Sequence, residues 1–562
     1  MILAADTQLR LDANWVDYLL LALYFAFVIG IGILAKRSVS TSLDFFLSGR
    51  SLPAWVTGLA FISANLGAVE IVGMSANGAN YGIATMHYFW IGAVPAMLFL
   101  GVVMMPFYYG SKVRSVPEFM RRRFGTGAHL VNALSFAVAQ LLIAGINLYL
   151  LASIVEVLLG WPLWLSLVVA AAIVLTYTTL GGLSAAIYNE VLQFFIIVAA
   201  LLPLTLVGLH KVGGWDGLSE KITATPGGAE QLSSWPGTGL TGFDSPVLSV
   251  IGIVFGLGFV LSFGYWTTNF VEVQRAMASK SMSAAQRSPI IGAFPKMFIP
   301  FIVVIPGMIA AVAVNEVSAL KAGNESSATY NDSILYLMRD LLPNGMLGVA
   351  IAGLMASFMA GMAANISAFN TVFSYDLWQQ YVKKDKPDDY YTGIGRLATV
   401  AATVIAIGTA TFAASYSNIM TYLQTLFGFF NAPLFATFIL GMFWKRMTAT
   451  AGWAGLVAGT VGAVVTWVLS GDVLGVISSL EGQGGAFVAA GVAFVLDIIV
   501  SVVVSLVTVR KEESTLRGLV YSLTPRKDFH DPDEANLAWW QQPTKLAGVA
   551  LVLVIALNIL FL

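Results

Sequence analysis

Two glutamates and a lysine, Glu70, Glu190 and Lys296, stand inside long apolar stretches of a 562-residue chain in which 10 % of the residues are charged. A charge at membrane depth costs about 2.5–3.5 kcal/mol on insertion scales, so such a group faces a protein-lined cavity and marks a substrate, ion or proton pathway. Carboxylates and an ammonium group can bind solute, coordinate a cation, carry a proton or neutralise one another. Which of these they do depends on the elements that bring them together.

Those elements are apolar runs. With 58 % hydrophobic residues and a mean hydropathy of +0.81, the chain repeats stretches of about 20 apolar residues, the length an α-helix needs to cross a bilayer. Fourteen spans are predicted, near residues 16–35, 54–79, 85–108, 129–158, 162–180, 184–209, 247–274, 289–314, 345–378, 394–414, 418–444, 450–470, 484–508 and 545–562. The first reads as a retained helix and not as a cleaved signal. Asp6, Arg10, Asp12 and Asp17 precede or open it, and Lys36 and Arg37 follow it.

Alternating these spans with the N-terminus outside puts 23 of the 29 basic residues in cytoplasmic loops, 5 in external ones, and Lys296 within the membrane. That bias satisfies the positive-inside rule, so both termini are expected to be external in a multi-pass protein of the cell membrane. The cytoplasmic set includes Lys112, Arg114, Arg121, Arg122, Arg123 and Arg275.

Two spans are interrupted by small and polar residues. The second contains Phe61-Ile62-Ser63-Ala64-Asn65-Leu66-Gly67-Ala68-Val69-Glu70, and the seventh contains Phe263-Gly264-Tyr265-Trp266-Thr267-Thr268-Asn269. Interruptions at matching places in two five-helix halves point to an inverted-repeat transporter, whose unwound segments offer free N–H and C=O groups near the midplane. The competing account is that Gly and Ser simply let helices pack closely.

Other classes find little support. A net charge of −1 gives no reason to expect nucleic acid. There is no cysteine, and the four histidines, His87, His129, His210 and His530, are scattered. No nucleophile–base pair, phosphate loop or metal-ligand spacing suggests an enzyme. The polar stretches 210–246, 315–344 and 509–544 are too short for an ordinary soluble domain, and 222–246 reads as a loop.

At this point the residues resemble a family. Gly160 to Ala185, ending Tyr177-Thr-Thr-Leu-Gly181-Gly182-Leu183-Ser184-Ala185, fits one signature of the sodium/solute symporters. A second signature runs from Gly441-Met-Phe-Trp-Lys-Arg446 to Gly459, with Ala451-Gly452 in place of Gly-Ala. Phe46-Leu47-Ser48-Gly49-Arg50-Ser51-Leu52, Val116-Pro117-Glu118-Phe119, Gly213-Gly214-Trp215-Asp216-Gly217 and Gln274-Arg275-Ala276-Met277-Ala278-Ser279-Lys280-Ser281 resemble the sodium/glucose cotransporter branch. The likeness covers about residues 40 to 460. It implies an all-α integral membrane protein of the LeuT-type 5+5 inverted-repeat fold, preceded by one helix and followed by three. The corresponding divisions are 16–35, 54–209, 247–444 and 450–562. The implied activity is Na+-coupled uptake of a sugar or polyol by alternating access in the lipid bilayer, and the oligomeric state is left open.

The resemblance also implies site residues. Asn65 and Gln424 fall where sugar transporters hydrogen-bond hydroxyls, Lys296 falls at a substrate-site lysine, and Tyr265 and Trp266 match an aromatic gate. Where the galactose branch has a sugar-binding glutamate this chain has Phe89, after Tyr88. Ile91-Gly92 replaces a serine, Ser262 an asparagine, and Glu70 a glutamine. Glu70 then either accepts substrate hydroxyls or pairs with Lys296. For Na+ the resemblance implies backbone carbonyls at Ser63 and Leu66, with Ser357 and Glu190 nearby. Ala360-Gly361 stands where relatives supply two hydroxyl ligands, which a hard cation would use. Either the Na+ site is rebuilt or coupling is weak or absent, leaving Glu70 or Glu190 as proton carriers. Serines restored at 360 and 361 are expected to strengthen Na+ dependence. Glu190 has a further reading as the ion-pair partner of Lys296 or Arg275.

Overall fold

The computed structural model describes residues 9–36, 48–67, 69–111, 113, 115–235, 239–414, 419–525, 531, 534 and 537–562. Phe46-Leu47, Ala68, Arg37, Lys112, Arg114, Arg526 and Lys527 lie outside them, as do the side chains of Lys36, residues 177–182 and Ala185. The described residues form helices with no strand. Only isolated bridges occur, Leu52 with Ser279 and Ser470 with Ile477.

The spans are realised as α1 (Trp15–Lys36), the halves α2 (Ala54–Asn65) and α3 (Met74–Tyr81), α4 (Tyr88–Gly110), α5 (Thr126–Leu159) and α6 (Leu163–Val212). A second set follows: α7 (Pro246–Thr268), α8 (Phe270–Met277), α9 (Met282–Ala313), α10 (Met346–Val382), α11 (Asp388–Ala413) and α12 (Ile419–Phe443). Three more close the chain: α13 (Ala449–Leu469), α14 (Gly482–Val507) and α15 (Pro543–Leu560). Among the described residues twelve helices are long and apolar enough to cross a membrane, the bent pair containing α2 and α3 supplies a thirteenth, and Leu163–Thr176 is a shorter apolar segment. The fourteen expected spans all have counterparts.

Two of them join. The 50 residues of α6 cover both 162–180 and 184–209, and a straight helix of that length would reach about 75 Å. Its two ends nevertheless lie at the same end of the bundle. Just before α6, the Leu158 carbonyl accepts from the Tyr18 hydroxyl (3.5 Å). Near its close, Gly208 packs against Leu341, four residues short of Gly345, whose N–H donates to Asp17 (2.7 Å). The run therefore carries two crossings.

The broken second span is held along α9 by close backbone approach. A Cβ at Gly58 would lie 2.9 Å from the Ser288 carbonyl, and one at Gly78 would lie 2.3 Å from that of Val304. Small residues permit this spacing where no hydrophobic drive between lipid-solvated helices exists. The consequence is positional. Glu70, at the bend between α2 and α3, faces Lys296 in the middle of α9.

The far end of α3 is also tied down. Lys321, in the short helix Asn315–Lys321, donates to the carbonyls of Ala79 (2.9 Å) and Asn80 (2.5 Å) and to Gln231 Oε1 (2.8 Å). A cation at a helix C-terminus complements the helix dipole, so this side chain fastens α3 to the segments beside it. Lys321→Met is expected to lose about 1.5–3 kcal/mol, the worth of hydrogen bonds to a charged group. Thermal unfolding in detergent measures it, and an unchanged midpoint would show that these segments do not hold α3.

Candidate substrate and ion site

Both breaks follow from local geometry. After Asn65 the Leu66 N–H still bonds the Ile62 carbonyl (3.0 Å), and helical bonding restarts from the Gly67 carbonyl to Glu70 (3.0 Å) and Ile71 (3.2 Å). The halves meet at 59°. Gly67 permits a close approach there: a Cβ would sit 2.9 Å from Asn147 Oδ1, a side-chain tip that can move, and 3.3 Å from Gly361 Cα. The second break is narrower than expected. Phe263 to Thr268 stay helical, and only Asn269 turns out (ψ 115°), its side chain accepting from the Val271 N–H (3.1 Å) to start α8.

Between the breaks lies a narrow cavity of about 80 Å³, tighter than the usual small-molecule site. All nine residues expected to face substrate line it: Asn65, Glu70, Tyr88, Phe89, Ser262, Tyr265, Trp266, Lys296 and Gln424. Lys296, 1 % exposed, is the hub. Its ammonium pairs with Glu70 Oε1 (2.5 Å), donates to Asn65 Oδ1, and sits 4.9 Å from the Phe89 ring centre and 5.0 Å from that of Trp266. Cation–π attraction is strongest where water is absent, which accounts for aromatic walls around a buried cation. Of the two readings for Glu70, the structure has the pairing with Lys296.

The remaining walls are polar–aromatic. Asn65 Nδ2 donates to the Tyr265 hydroxyl (3.0 Å), and the Tyr265 and Phe427 ring centres are 4.5 Å apart. The Tyr88 hydroxyl donates to Gln483 Oε1 (2.5 Å), whose amide nitrogen donates to Thr421 (3.1 Å). Two departures noted in the sequence explain each other: a Cβ at Gly92 would lie 2.3 Å from Ser262 Oγ, so the glycine makes room for the serine. Gln424 makes only a weak contact, Nε2 to Met420 Sδ at 3.8 Å.

The ion-site residues divide. Ser357 Oγ donates to the freed Leu66 carbonyl, and Ser63 Oγ is buried without a hydrogen-bond partner. An orphaned hydroxyl in the same stretch as a freed carbonyl suits a hard cation better than an apolar core. Ala360 and Gly361 are buried and add no side-chain oxygen. Glu190 is elsewhere: Arg275 donates to its two oxygens at 2.6 and 3.3 Å. Arg275 is 0 % exposed, so it belongs to the packed interior and not to the cytoplasmic loops where its charge was counted. Its pairing partner is also settled, since Glu190 bonds Arg275 and Lys296 bonds Glu70.

The sequence reading missed Glu272. It lies in the first turn of α8, is 0 % exposed, and accepts from the Tyr265 hydroxyl at Oε1 (2.8 Å). The available signal was a carboxylate three residues after a helix break, within an apolar span. Asn147, which wedges against Gly67 and Gly361, was missed too, because an asparagine in α5 carries no pattern of its own.

A family model, the sodium:solute symporter family, matches residues 45–459. A sodium/glucose cotransporter of Vibrio parahaemolyticus is 30 % identical over 463 residues, covering 79 % of this chain and 84 % of the relative. A sodium/myo-inositol cotransporter 2 of Oryctolagus cuniculus is 29 % identical over 479 residues, covering 81 % and 70 %. Among solved structures, the substrate-bound outward-open state of a Na+-coupled sialic acid symporter aligns with a TM-score of 0.74 at 18 % identity, over 89 % of this chain and 99 % of that one. Its likeness bears on the fold, which is the LeuT-type inverted-repeat architecture that the resemblance implied. The chain, a multi-pass transporter and not an enzyme, belongs to the sodium:solute symporter family.

Proposed function

We propose that this protein takes up a sugar or polyol, coupled to Na+, by alternating access in the cell membrane, with both termini outside. The observation that carries the reading is the convergence of amide, hydroxyl and aromatic groups around one cavity in which the charged lining residues among those described, Lys296 and Glu70, form an ion pair. A neutral, hydroxyl-rich solute suits such walls: it replaces water with matched donors and acceptors and brings no net charge to be desolvated. Relatives named for glucose and myo-inositol transport point the same way. Na+ is assigned to the Ser63, Leu66 and Ser357 oxygens. Alternation between faces uses the broken helices as moving parts.

The test is uptake of labelled D-glucose, D-galactose and myo-inositol into proteoliposomes with and without an inward Na+ gradient. Gradient-driven accumulation of one of them is expected. Transport of an amino acid or carboxylate to the exclusion of all three would overturn the substrate assignment. Missing hydroxyls at Ala360 and Gly361 favour one alternative, a Na+-independent carrier on the same fold, which the zero-gradient arm reveals. Gln424→Ala is expected to weaken sugar binding by about 1–3 kcal/mol, the cost of an unpaired hydroxyl, or roughly 5- to 150-fold in affinity. Scintillation-proximity binding measures it, and unaltered affinity would remove Gln424 from the site.

A further inference from the structure

Five largely buried ionisable side chains lie in the cavity wall or in the packed interior around α8. Two are cations, Lys296 and Arg275, and three are carboxylates, Glu70, Glu190 and Glu272. The first two carboxylates are each paired. Glu272 is left over. Its Oε1 accepts from Tyr265, and its Oε2 is buried with no hydrogen-bond partner.

The surroundings do not compensate it. Lys296 on α9 and Arg275 on its own helix attract it, Glu190 on α6 repels it, and both cations are already committed to other carboxylates. Glu70 beyond Lys296 adds a further negative charge on the cavity side. No charged residue occurs in α2, in the Phe263–Thr268 turn or in Met346–Thr371, the segments that also pack against α8. The first turn of α8 favours a carboxylate only modestly, whereas an unpaired charge in the interior is strongly disfavoured. Something positive must balance it. A metal cation needs several oxygens placed around it, whereas Oε2 has no hydrogen-bond partner at all. A proton needs one.

We propose that Glu272 is a proton-binding site and that H+ enters the transport cycle through it, beside or in place of Na+. The inference rests on the transporter reading above. The proton sits on Oε2 while Oε1 keeps its bond from Tyr265. Binding reports to the cavity along one chain of hydrogen bonds: Tyr265 to Glu272, Asn65 to Tyr265, and Lys296 to Asn65 and Glu70. Ionising Glu272 strengthens its hold on the Tyr265 hydroxyl and so acts on the aromatic wall of the cavity at the second break. The proton is taken from solution on one side and returned to solution on the other.

Infrared pH-difference spectra of the purified protein in lipid nanodiscs, in Na+-free buffer, test the site without a substrate. Wild type is expected to show the carbonyl stretch of a buried protonated carboxylic acid near neutral pH. Glu272→Gln, which keeps the shape of the neutral acid, is expected to lose it, and Glu272→Asp to shift it. In proteoliposomes loaded with a pH-sensitive dye, external D-glucose or myo-inositol without Na+ is expected to acidify the lumen for wild type, and this acidification is lost in Glu272→Gln. A band unchanged in Glu272→Gln overturns the proposal. So does a wild-type band abolished by Na+ at constant pH, which would make Glu272 a sodium ligand. If neither sugar is transported while the band behaves as expected, the substrate reading fails and the proton site stands.

Discussion

Replacing Lys296 with methionine is expected to abolish uptake and to destabilise the protein by about 3–5 kcal/mol, the usual cost of removing one member of a buried ion pair. The loss comes less from the pair's own worth than from what remains. Glu70, with 10 % of its side chain exposed, would keep a carboxylate facing Phe89 and Trp266 with no cation. Its compensating partner is the second half of the experiment. Combining Lys296→Met with Glu70→Gln removes both charges, and most of the stability is expected to return although transport does not, since substrate has lost the hub that orders Asn65. Thermal unfolding of the two variants in detergent, with sugar uptake alongside, measures this. Equal midpoints for the single and double variants would mean that the pair is not the electrostatic centre of the site. Glu70→Gln alone is expected to weaken sugar binding and to leave an unbalanced ammonium group. It is therefore not the neutral change that a substrate-contact role by itself suggests.

The second large effect is expected at Gly361. From the sequence, serines at 360 and 361 restore the missing Na+ ligands and strengthen coupling. The packing opposes this at one of the two positions. A Cβ at Gly361 would stand 2.6 Å from Asn147 Oδ1 and 3.0 Å from the Cα of Gly67. The asparagine tip can swing away, but Gly67 is backbone at the break of the second span, so α10 and the unwound segment must separate. Overpacking of this kind costs about 1–3 kcal/mol, and it displaces the very carbonyl, Leu66, that the ion would use. Gly361→Ser is expected to abolish Na+-dependent uptake, while Ala360→Ser adds a hydroxyl without that clash. Sodium titration of uptake in proteoliposomes compares them. Stronger Na+ dependence in Gly361→Ser would show that α10 and the unwound segment have room for the added side chain.

What the sequence determined by itself was whatever depends on consecutive residues. Crossing a bilayer requires about 20 apolar residues in a row, so the fourteen spans, including the interrupted second and seventh, were legible from hydropathy alone. The cost of an intramembrane charge likewise marked Glu70, Glu190 and Lys296, and family motifs placed Asn65, Tyr265, Trp266 and Gln424, all of which the structure brings to one cavity. Partner choice was not legible. Lys296 meets Asn65 across 231 residues, and Arg275 meets Glu190 across 85. Only helix packing decides which of several buried charges faces which. Arg275 looked like a loop cation and Glu272 was passed over, because one-dimensional hydropathy cannot tell a charge on a protein-facing side from one in water. The same limit hid the steric reason for Gly361. Its missing side chain read as a lost ligand, and only the contact with Gly67 and Asn147 showed that the space belongs to the backbone of the broken helix.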